Sequence, residues 1–325
     1  MAIGLWVALC GLGLLAVAAT YLAYCKDIDA IRAKVRAGGR LAQTSAGLIE
    51  YASDEHVSDR LGPPALIIHG ASGGYDQGIS IGKQNFGDAF QIVAPSRFGY
   101  LRTPLPRDGS PAAQADAHAA LLDCLNLDRV VALGFSMGAR SAVELALRHP
   151  HRVSALILES PIAYAPSDGP KIDYPGSRRL IRLVTNGADF IYWLLLRIAP
   201  NFVIRLSGMR PELVARATEI ERDKVMAVIR GVQPLSLRLA GVSNDLASLI
   251  APWPLDKIAA PTFIVAAADD LFNTLPAARY AAAGIFRATL LGLDSGGHLF
   301  VGRHDEIRAK LAAFLKKAGV MEQAT

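Results

Sequence analysis

The sequence predicts an α/β fold in which a mostly parallel central sheet carries helices on both faces. Short runs rich in β-branched and other apolar residues alternate with helical or loop sequence, at residues 65–68, 92–94, 130–133, 155–158, 262–265 and 289–291. Runs of strand length without polar alternation are typical of parallel strands, because helical crossovers bury both faces of such a sheet. A chain of 325 residues is long enough for one domain of this kind with an insertion, or for two modest domains.

The first strands are expected to form an edge hairpin. Two short segments, residues 41–45 and 48–52, surround Gly47, and Gly62-Pro63-Pro64 then leads into the strand at 65–68. Glycine between two such segments is a turn signal, so the pair is predicted to lie at one edge of the sheet.

The junction between a strand and a helix at residues 129–149 organises the rest of the chain. The apolar run 130–133 meets a helix at the pentapeptide GFSMG, with Ser136 at its centre. In such a nucleophile elbow the flanking glycines let strand and helix approach closely, and the serine is held in a strained, exposed conformation. Small residues recur at helical spacing from Ala139 to Ala146, a face that can pack tightly on the sheet. Ser136 is the predicted nucleophile.

A second pentapeptide, GASGG, also fits Gly-x-Ser-x-Gly and places Ser72 at its centre. Its upstream strand is suitable. However, Gly73, Gly74 and Gly78 follow closely, and glycine at this density opposes an immediate helix. Ser72 is therefore the weaker candidate.

A serine nucleophile needs a base to take its proton and a group to orient that base. His298, in the segment DSGGHLF after the last predicted strand, is the predicted base, and His304 is its rival. Asp270 follows the strand PTFIV at a carboxyl end of the sheet, where ligands gather, and is the preferred acid. Its neighbour Asp269 and Glu159, after the strand ALIL, are the alternatives.

Between residues 161 and 258 the alternation stops and helical sequence is broken by prolines, at Pro170, Pro175, Pro200, Pro211 and Pro252. This insertion is predicted to be a helical cap over the site. One stretch of the insertion is apolar on almost every face and is therefore expected to be buried against other parts of the molecule: ADFIYWLLLRIAPNFVIRL. Its aromatic residues predict either a wall for a lipophilic substrate or packing of the cap on the core: Phe190, Tyr192, Trp193 and Phe202.

The amino-terminal segment predicts a membrane anchor. Residues 2–25 contain no charged side chain and would span about 36 Å as a helix, against a hydrocarbon core of about 30 Å. A polar, basic connector is expected at residues 26–40. Lys and Arg residues close to a membrane span favour the cytoplasmic side. The connector that follows the span contains five of them, so the catalytic domain is predicted to be cytoplasmic: Lys26, Arg32, Lys34, Arg36 and Arg40.

The alternative is a cleaved secretory signal, which would leave a secreted or periplasmic protein. Ala16-Val17-Ala18 resembles a small-residue cleavage site. Two features favour the anchor: no Lys or Arg precedes the apolar run, and the run continues past the site through Tyr21 and Leu22.

Composition argues against several other classes of function. The net charge of +5 has no Lys/Arg run with interleaved aromatics behind it, so nucleic acid is not an expected partner. The cysteines, Cys10, Cys25 and Cys124, do not suggest a disulfide framework. Neither metal-ligand spacing nor a glycine-rich phosphate cradle occurs, and no metal or cofactor is expected.

These motifs together resemble the α/β-hydrolase fold family of esterases, lipases, C–C hydrolases and perhydrolases. The resemblance rests on HGASGG, GFSMG, PTFIVAAADD and GGH in that order, and it runs from about residue 41 to 317. It implies Ser136 as nucleophile, Asp270 as orienting acid and His298 as base. It further implies that the backbone amides of Ala71 and Met137 form the oxyanion hole.

The sequence patterns and the resemblance together divide the chain into an anchor (2–25), a connector (26–40), a core in two parts (41–160 and 259–325) and a cap (161–258). The serine at the elbow argues against the dehalogenases and most epoxide hydrolases of this fold, which use aspartate. The leading hypothesis is a membrane-tethered serine hydrolase that cleaves a lipophilic ester or related acyl compound. The alternatives are a C–C hydrolase or acyl transferase/perhydrolase with the same residues, and a non-catalytic ligand-binding scaffold.

Overall fold

The computed structural model describes residues 2–54, 62–166, 188–248 and 251–321. Within these residues the strands form one eight-stranded sheet in the order β1-β2-β4-β3-β5-β6-β7-β8. The strands are β1 (Arg40–Thr44), β2 (Gly47–Ser53), β3 (Ala65–Ile68), β4 (Ile92–Pro95), β5 (Val130–Phe135), β6 (Val153–Glu159), β7 (Thr262–Ala267) and β8 (Ala288–Leu293). Only β2 runs antiparallel to its neighbours, and the other pairs are parallel.

The centre of the sheet is β5, whose six residues are all buried. Its Leu133 lies opposite Ile67 of β3 and Ile157 of β6, so three aliphatic side chains share one row of the sheet. The wholly apolar runs of the sequence therefore occupy strands that are covered on both faces.

Helices cover the sheet on both sides and also precede it. They are α1 (Ala2–Gly38), α2 (Tyr75–Phe86), α3 (Pro111–Cys124), α4 (Gly138–Arg148), α5 (Ala188–Ile198), α6 (Pro200–Leu206), α7 (Pro211–Arg216), α8 (Glu219–Arg230), α9 (Leu239–Ala247), α10 (Leu275–Gly284) and α11 (His304–Lys317). Residues of α3, α4 and α10 pack on one face of the sheet and residues of α2 and α11 on the other. The predicted architecture, a mostly parallel sheet between two helical layers, is confirmed.

Helices α5–α9 lie between β6 and β7 and form the cap. They share an apolar core of their own, in which Tyr192, Val203, Ile204 and Met209 are buried. The predicted helix breaks at Pro170 and Pro175 lie outside the described residues.

The carboxyl-terminal part of the cap is tied to the core by a buried ion pair. Both guanidinium nitrogens of Arg97, in the loop after β4, donate to the carboxylate of Asp245 on α9 at 2.7 Å. The Tyr100 hydroxyl donates to the same carboxylate at 2.6 Å. Because these side chains are almost fully buried, the pair fixes α9 firmly against the core.

Helix α1 continues through the segment for which the sequence predicts a connector. The helix ends at Gly38, not near Cys25, because Ile28, Ile31 and Val35 form an apolar stripe at helical spacing on its inner side. Val35 packs in a cluster with Tyr75, and the Tyr75 hydroxyl donates to the Val35 carbonyl at 2.5 Å. Among the described residues, α1 is the helix that is long and apolar enough to cross a membrane.

Candidate active site

The elbow between β5 and α4 holds Ser136 in a left-handed backbone conformation, with φ of 53°. Both flanking glycines are required by close approach. A Cβ atom on Gly134 would lie 2.6 Å from the Cα of Ala139, and one on Gly138 would overlap the carbonyl oxygens of Ile68 and His69. Side chains at either position would push α4 away from the sheet, so the strained turn depends on the two glycines.

The Ser136 hydroxyl, the His298 imidazole and the Asp270 carboxylate form a series of hydrogen bonds. The Nε2 atom of His298 is 3.0 Å from the Ser136 Oγ, and its Nδ1 atom is 2.8 Å from the Asp270 Oδ2. All three residues are at most 6% exposed. The carboxylate sets the tautomer: Nδ1–H donates to Asp270, which leaves Nε2 free to accept the serine proton.

The two adjacent aspartates have different partners. The carboxylate of Asp270 accepts from the Thr274 hydroxyl at 2.5 Å and from the Phe272 amide at 2.8 Å. That of Asp269 instead accepts from the Ser295 hydroxyl and from the amides of the GG pair before His298, at 2.7 to 2.9 Å. Asp270 thus contacts the imidazole, whereas Asp269 holds the loop that carries it.

The other candidate residues lie elsewhere. The Nδ1 atom of His304 is 3.0 Å from the Glu221 carboxylate, which joins α11 to α8 of the cap. Although partial burial acts against ionisation of Glu221, hydrogen bonds from Lys224, Gly302 and His304 lower its pKa to about 2. Within the described chain, Glu159 makes no hydrogen bond with His298. Glu159 is buried, and this burial raises its pKa to about 7.

The argument from glycine against Ser72 is wrong. Helix α2 begins at Tyr75, directly after GASGG, because Gly78 lets the helix pack closely on the sheet. A Cβ atom on Gly78 would lie 2.7 Å from the Cβ of Ala94. Ser72 also has a positive φ, 58°, and lines the same cavity as Ser136. What distinguishes the two serines is the histidine, which the structure places at Ser136.

The predicted oxyanion donors, Ala71 and Met137, both line the cavity beside Ser136. Met137 directly precedes α4, so its amide belongs to the positive end of the helix dipole. The loop of Ala71 approaches the elbow closely, since a Cβ atom on Gly70 would lie 3.0 Å from the Ser136 Cβ. That the amides of Ala71 and Met137 form an oxyanion hole stays a prediction, for which their place beside Ser136 is the support.

The loop that carries Ala71 is held by His69, which the sequence analysis did not single out. Its Nδ1 atom lies 2.7 Å from the Gly70 carbonyl, and its Nε2 atom accepts from the Arg97 amide at 2.9 Å. Complete burial and the nearby Arg97 guanidinium lower its pKa well below the usual value, so His69 is neutral and donates from Nδ1. The HG pair before ASGG is the sequence signal for this role.

The residues that contact the ring and the backbone of His298 were also not identified from the sequence. The Phe272 ring meets it edge-on, with centroids 4.6 Å apart, and the Ser160 hydroxyl donates to the His298 carbonyl at 3.0 Å. From the cap, the Gly208 carbonyl accepts from the His298 amide at 3.4 Å. These contacts come from separate elements, and short motifs do not encode such contacts.

A cavity of about 270 Å³ lies between the cap and Ser136. Its walls are mostly apolar side chains of α5, α6, α8 and α9, including Tyr192, Leu195, Val203 and Ile229. The sequence allows either a cavity wall or cap packing for four aromatic residues, and of these Tyr192 lines the cavity. Phe190 and Trp193 pack against α1, and Phe202 is 46% exposed.

The described residues contain no group of three or more His, Cys, Asp or Glu side chains placed to hold a metal ion. Cysteines 10, 25 and 124 are free thiols.

Comparison with known proteins agrees with this architecture. Residues 63–305 match the family model for the alpha/beta hydrolase fold. The candidate carbamate hydrolase RutD of Klebsiella pneumoniae (strain 342) is 30% identical over 251 residues, which cover 73% of this chain and 85% of RutD. The 2-hydroxymuconate semialdehyde hydrolase of Pseudomonas putida is 33% identical over 100 residues, 30% of this chain and 36% of that enzyme.

The fold is also similar to that of an alpha/beta hydrolase fold protein from Nakamurella multipartita. The two superimpose with a TM-score of 0.66 at 25% identity, over 86% of this chain and 99% of that chain. The family model and the RutD match both cover most of the described core and cap. The chain belongs to the α/β-hydrolase fold family.

Proposed function

We propose that the protein is a membrane-anchored serine hydrolase that cleaves a lipophilic ester or related acyl substrate through a covalent intermediate on Ser136. The observation that carries this proposal is the hydrogen-bonded series Ser136, His298 and Asp270, with separations of 3.0 and 2.8 Å. The series opens into an apolar cavity, which suits an acyl chain.

The geometry supports a two-step reaction. The Ser136 oxygen attacks the acyl carbon while His298 Nε2 takes the hydroxyl proton, and the Asp270 carboxylate stabilises the imidazolium. The amides of Ala71 and Met137 donate to the oxygen of the tetrahedral intermediate. His298 then returns the proton to the departing alcohol, and an acyl-serine remains.

In the second step a water molecule gives a proton to His298 and attacks the acyl-serine carbon. The bond to the Ser136 oxygen breaks, this oxygen recovers its proton from His298, and the carboxylic acid departs. No metal or cofactor is needed, because the protein supplies the nucleophile, the base and the oxyanion donors.

A second candidate is cleavage of a carbon–carbon bond by the same three residues. The match to 2-hydroxymuconate semialdehyde hydrolase favours it, although that match covers 36% of the relative. The RutD match instead favours an acyl carbon bonded to a heteroatom and extends over 85% of the relative. Acyl transfer and perhydrolysis share the acyl-serine intermediate, and a binding scaffold without catalysis is the remaining alternative.

The first test compares the two serines of the matching pentapeptides. We expect Ser136→Ala to abolish ester hydrolysis, with a loss of about four orders of magnitude in turnover. Ser72→Ala leaves the loop backbone and the hydrogen bond between Ser136 and His298 in place, so a substantial part of the activity should remain. Hydrolysis of p-nitrophenyl esters and labelling by a fluorophosphonate probe measure both effects. Equal losses in the two variants, or labelling that survives Ser136→Ala, would contradict the assignment.

A further inference from the structure

Helix α5 of the cap presents one face to the catalytic cavity and the other to α1. Tyr192 and Leu195 line the cavity over Ser136. Trp193, Leu196 and Arg197, which lie between and after them on the helix, line a groove on the side of α1. This groove measures about 1310 Å³, and residues of α1 and of α2 also line it.

The support for α5 on its outer face comes from α1. The Trp193 indole donates to the Asp27 carboxylate at 3.0 Å, and Arg197 donates to the same oxygen at 2.6 Å. The ring of Tyr24 meets those of Phe190 and Trp193 edge-on, at centroid distances of 5.2 and 5.8 Å.

A third contact lies at the amino-terminal end of α5. Arg32 of α1 donates to the carboxylate of the buried Asp189 at 3.0 Å. The same carboxylate accepts from the amide and the hydroxyl of Ser236. Contacts with α1 thus occur at both ends of α5 and at its middle.

We propose that the part of α1 beyond the apolar span is a structural component of the substrate site: by holding the outer face of α5, Tyr24 and Asp27 position Tyr192 and Leu195 and so determine specificity for long acyl chains. This inference rests on the proposed function. Trp193 is only 3% exposed, and Tyr24 and Asp27 of α1 both contact its indole. The anchor would then fix the shape of the cavity as well as the location of the enzyme.

The reasoning is energetic. Without Tyr24 and Asp27, α5 would expose an indole and a phenylalanine ring to water and lose two charge-assisted hydrogen bonds, those of Trp193 and Arg197 to the Asp27 carboxylate. An α5 free to shift would widen or collapse the wall formed by Tyr192 and Leu195. Long chains touch that wall and would bind more weakly, whereas an acetyl group at Ser136 would not reach it. The predicted signature is therefore a change in KM that depends on chain length.

The test uses the full chain in vesicles and the double variant Tyr24→Ala/Asp27→Ala. We expect its KM for p-nitrophenyl dodecanoate to rise about tenfold, while kcat/KM for the acetate ester stays within about twofold of the wild type. Asp29→Ala is the matched control, because Asp29 carries the same charge two residues further on, is 75% exposed, and pairs at 3.6 Å with a different nitrogen of Arg32 from the one that binds Asp189. Tyr24→Phe keeps the ring contacts and should retain the wild-type KM.

Amide hydrogen exchange of α5 gives a readout that does not depend on activity. Exchange at residues 188–198 should be faster in Tyr24→Ala/Asp27→Ala and unchanged in Asp29→Ala. The inference is overturned if long-chain KM in the double variant matches the Asp29→Ala control, if activity on both esters falls equally, or if α5 exchange does not change. Absence of Ser136-dependent hydrolysis in the wild-type protein would instead overturn the proposed function, and the specificity claim with it.

Discussion

At the scale of single residues, the adjacent carboxylates of Asp270 and Asp269 have different partners and different roles. Asp270 contacts the imidazole, and Asp269 binds the two glycine amides before it. Replacing either carboxylate by an amide keeps its size and changes its charge and its acceptors. The consequences should differ, because only one of the two side chains sets the histidine tautomer.

We expect Asp270→Asn to lower kcat by roughly 10³- to 10⁴-fold, because an amide at this position favours the wrong tautomer of His298. Asp269→Asn should lower kcat by about tenfold or less and destabilise the fold by about 1–3 kcal/mol, since loop amides lose a charged acceptor. Steady-state kinetics and thermal unfolding of both variants check this. A greater kinetic loss in Asp269→Asn would reverse the two roles.

The burial of Glu159 should make the free energy of unfolding depend on pH. Burial raises its pKa from 4.5 to about 7 in the folded state. Below pH 4.5 the Glu159 carboxyl is protonated in both the folded and the unfolded protein. Between pH 4.5 and about 7 it ionises only in the unfolded protein, so the free energy of unfolding falls as pH rises. The loss reaches about 3 kcal/mol above pH 7. Glu159→Gln cannot ionise, so it should unfold at a higher temperature than the wild type at pH 8 and at nearly the same temperature at pH 4.5.

A difference between Glu159→Gln and the wild type that stays constant across this pH range would contradict the prediction. Melting curves of the two proteins in matched buffers measure it directly. Glu144→Gln is a suitable control, because the Glu144 carboxylate accepts from the Trp253 indole and is only partly buried.

The residues of the site differ in how far the sequence could predict them. Motif order and the strand ends sufficed to propose Ser136, His298 and the aspartate pair. Short motifs could not separate Asp269 from Asp270, because the two are adjacent and only the turn after β7 decides which carboxylate faces the histidine. Contacts such as Phe272 or Gly208 on His298 arise from tertiary packing between distant segments, which local patterns do not record.

At the scale of elements, the sequence predicts the strands well, but it predicts less well where helices begin and which neighbours their faces contact. Buried parallel strands carry a strong local signal, and each apolar run named from the sequence lies in a strand. The glycines after Ser72 were interpreted as helix breakers, yet close packing of α2 on the sheet outweighs their propensity. For Trp193 the sequence leaves the substrate wall and cap packing as alternatives, because composition cannot show which face of α5 meets α1.

The attachment of α9 to the core depends on the ion pair between Arg97 and Asp245. Both side chains are 7% exposed. Removing one charge leaves the other buried and unpaired, which costs about 3–5 kcal/mol. Asp245→Asn should therefore lower the free energy of unfolding by about that amount. The control is Asp116→Asn, whose pair with Arg148 is 43–44% exposed and should contribute less than about 1 kcal/mol.

Denaturant titrations of the two variants measure these effects. Similar losses in Asp245→Asn and Asp116→Asn would show that the buried pair contributes no more than a surface one. Because Asp245 also lines the catalytic cavity, unfolding rather than activity is the appropriate readout.

At the scale of the whole molecule, α1 combines two kinds of surface in one helix. It has 37 residues and a length of about 55 Å, whereas a hydrocarbon core needs about 30 Å. Its first part exposes large apolar side chains such as Leu12, Leu15 and Val17, each at least 64% exposed. Its second part packs on α5 and Tyr75. A membrane around the first part would account for the apolar surface that the domain leaves uncovered.

The last prediction is that this first part stays in the mature protein as a membrane span and that the catalytic domain lies on the cytoplasmic side. Lys26, Lys34 and Arg36 follow the span and are exposed, and cations in that position favour the inner side of the membrane. Cell fractionation with intact-mass measurement tests retention, and protease treatment of intact cells tests orientation. A soluble form that begins near Ala19 would refute the anchor. Digestion of the domain from outside intact cells would refute the orientation and place Ser136 on the opposite side of the membrane.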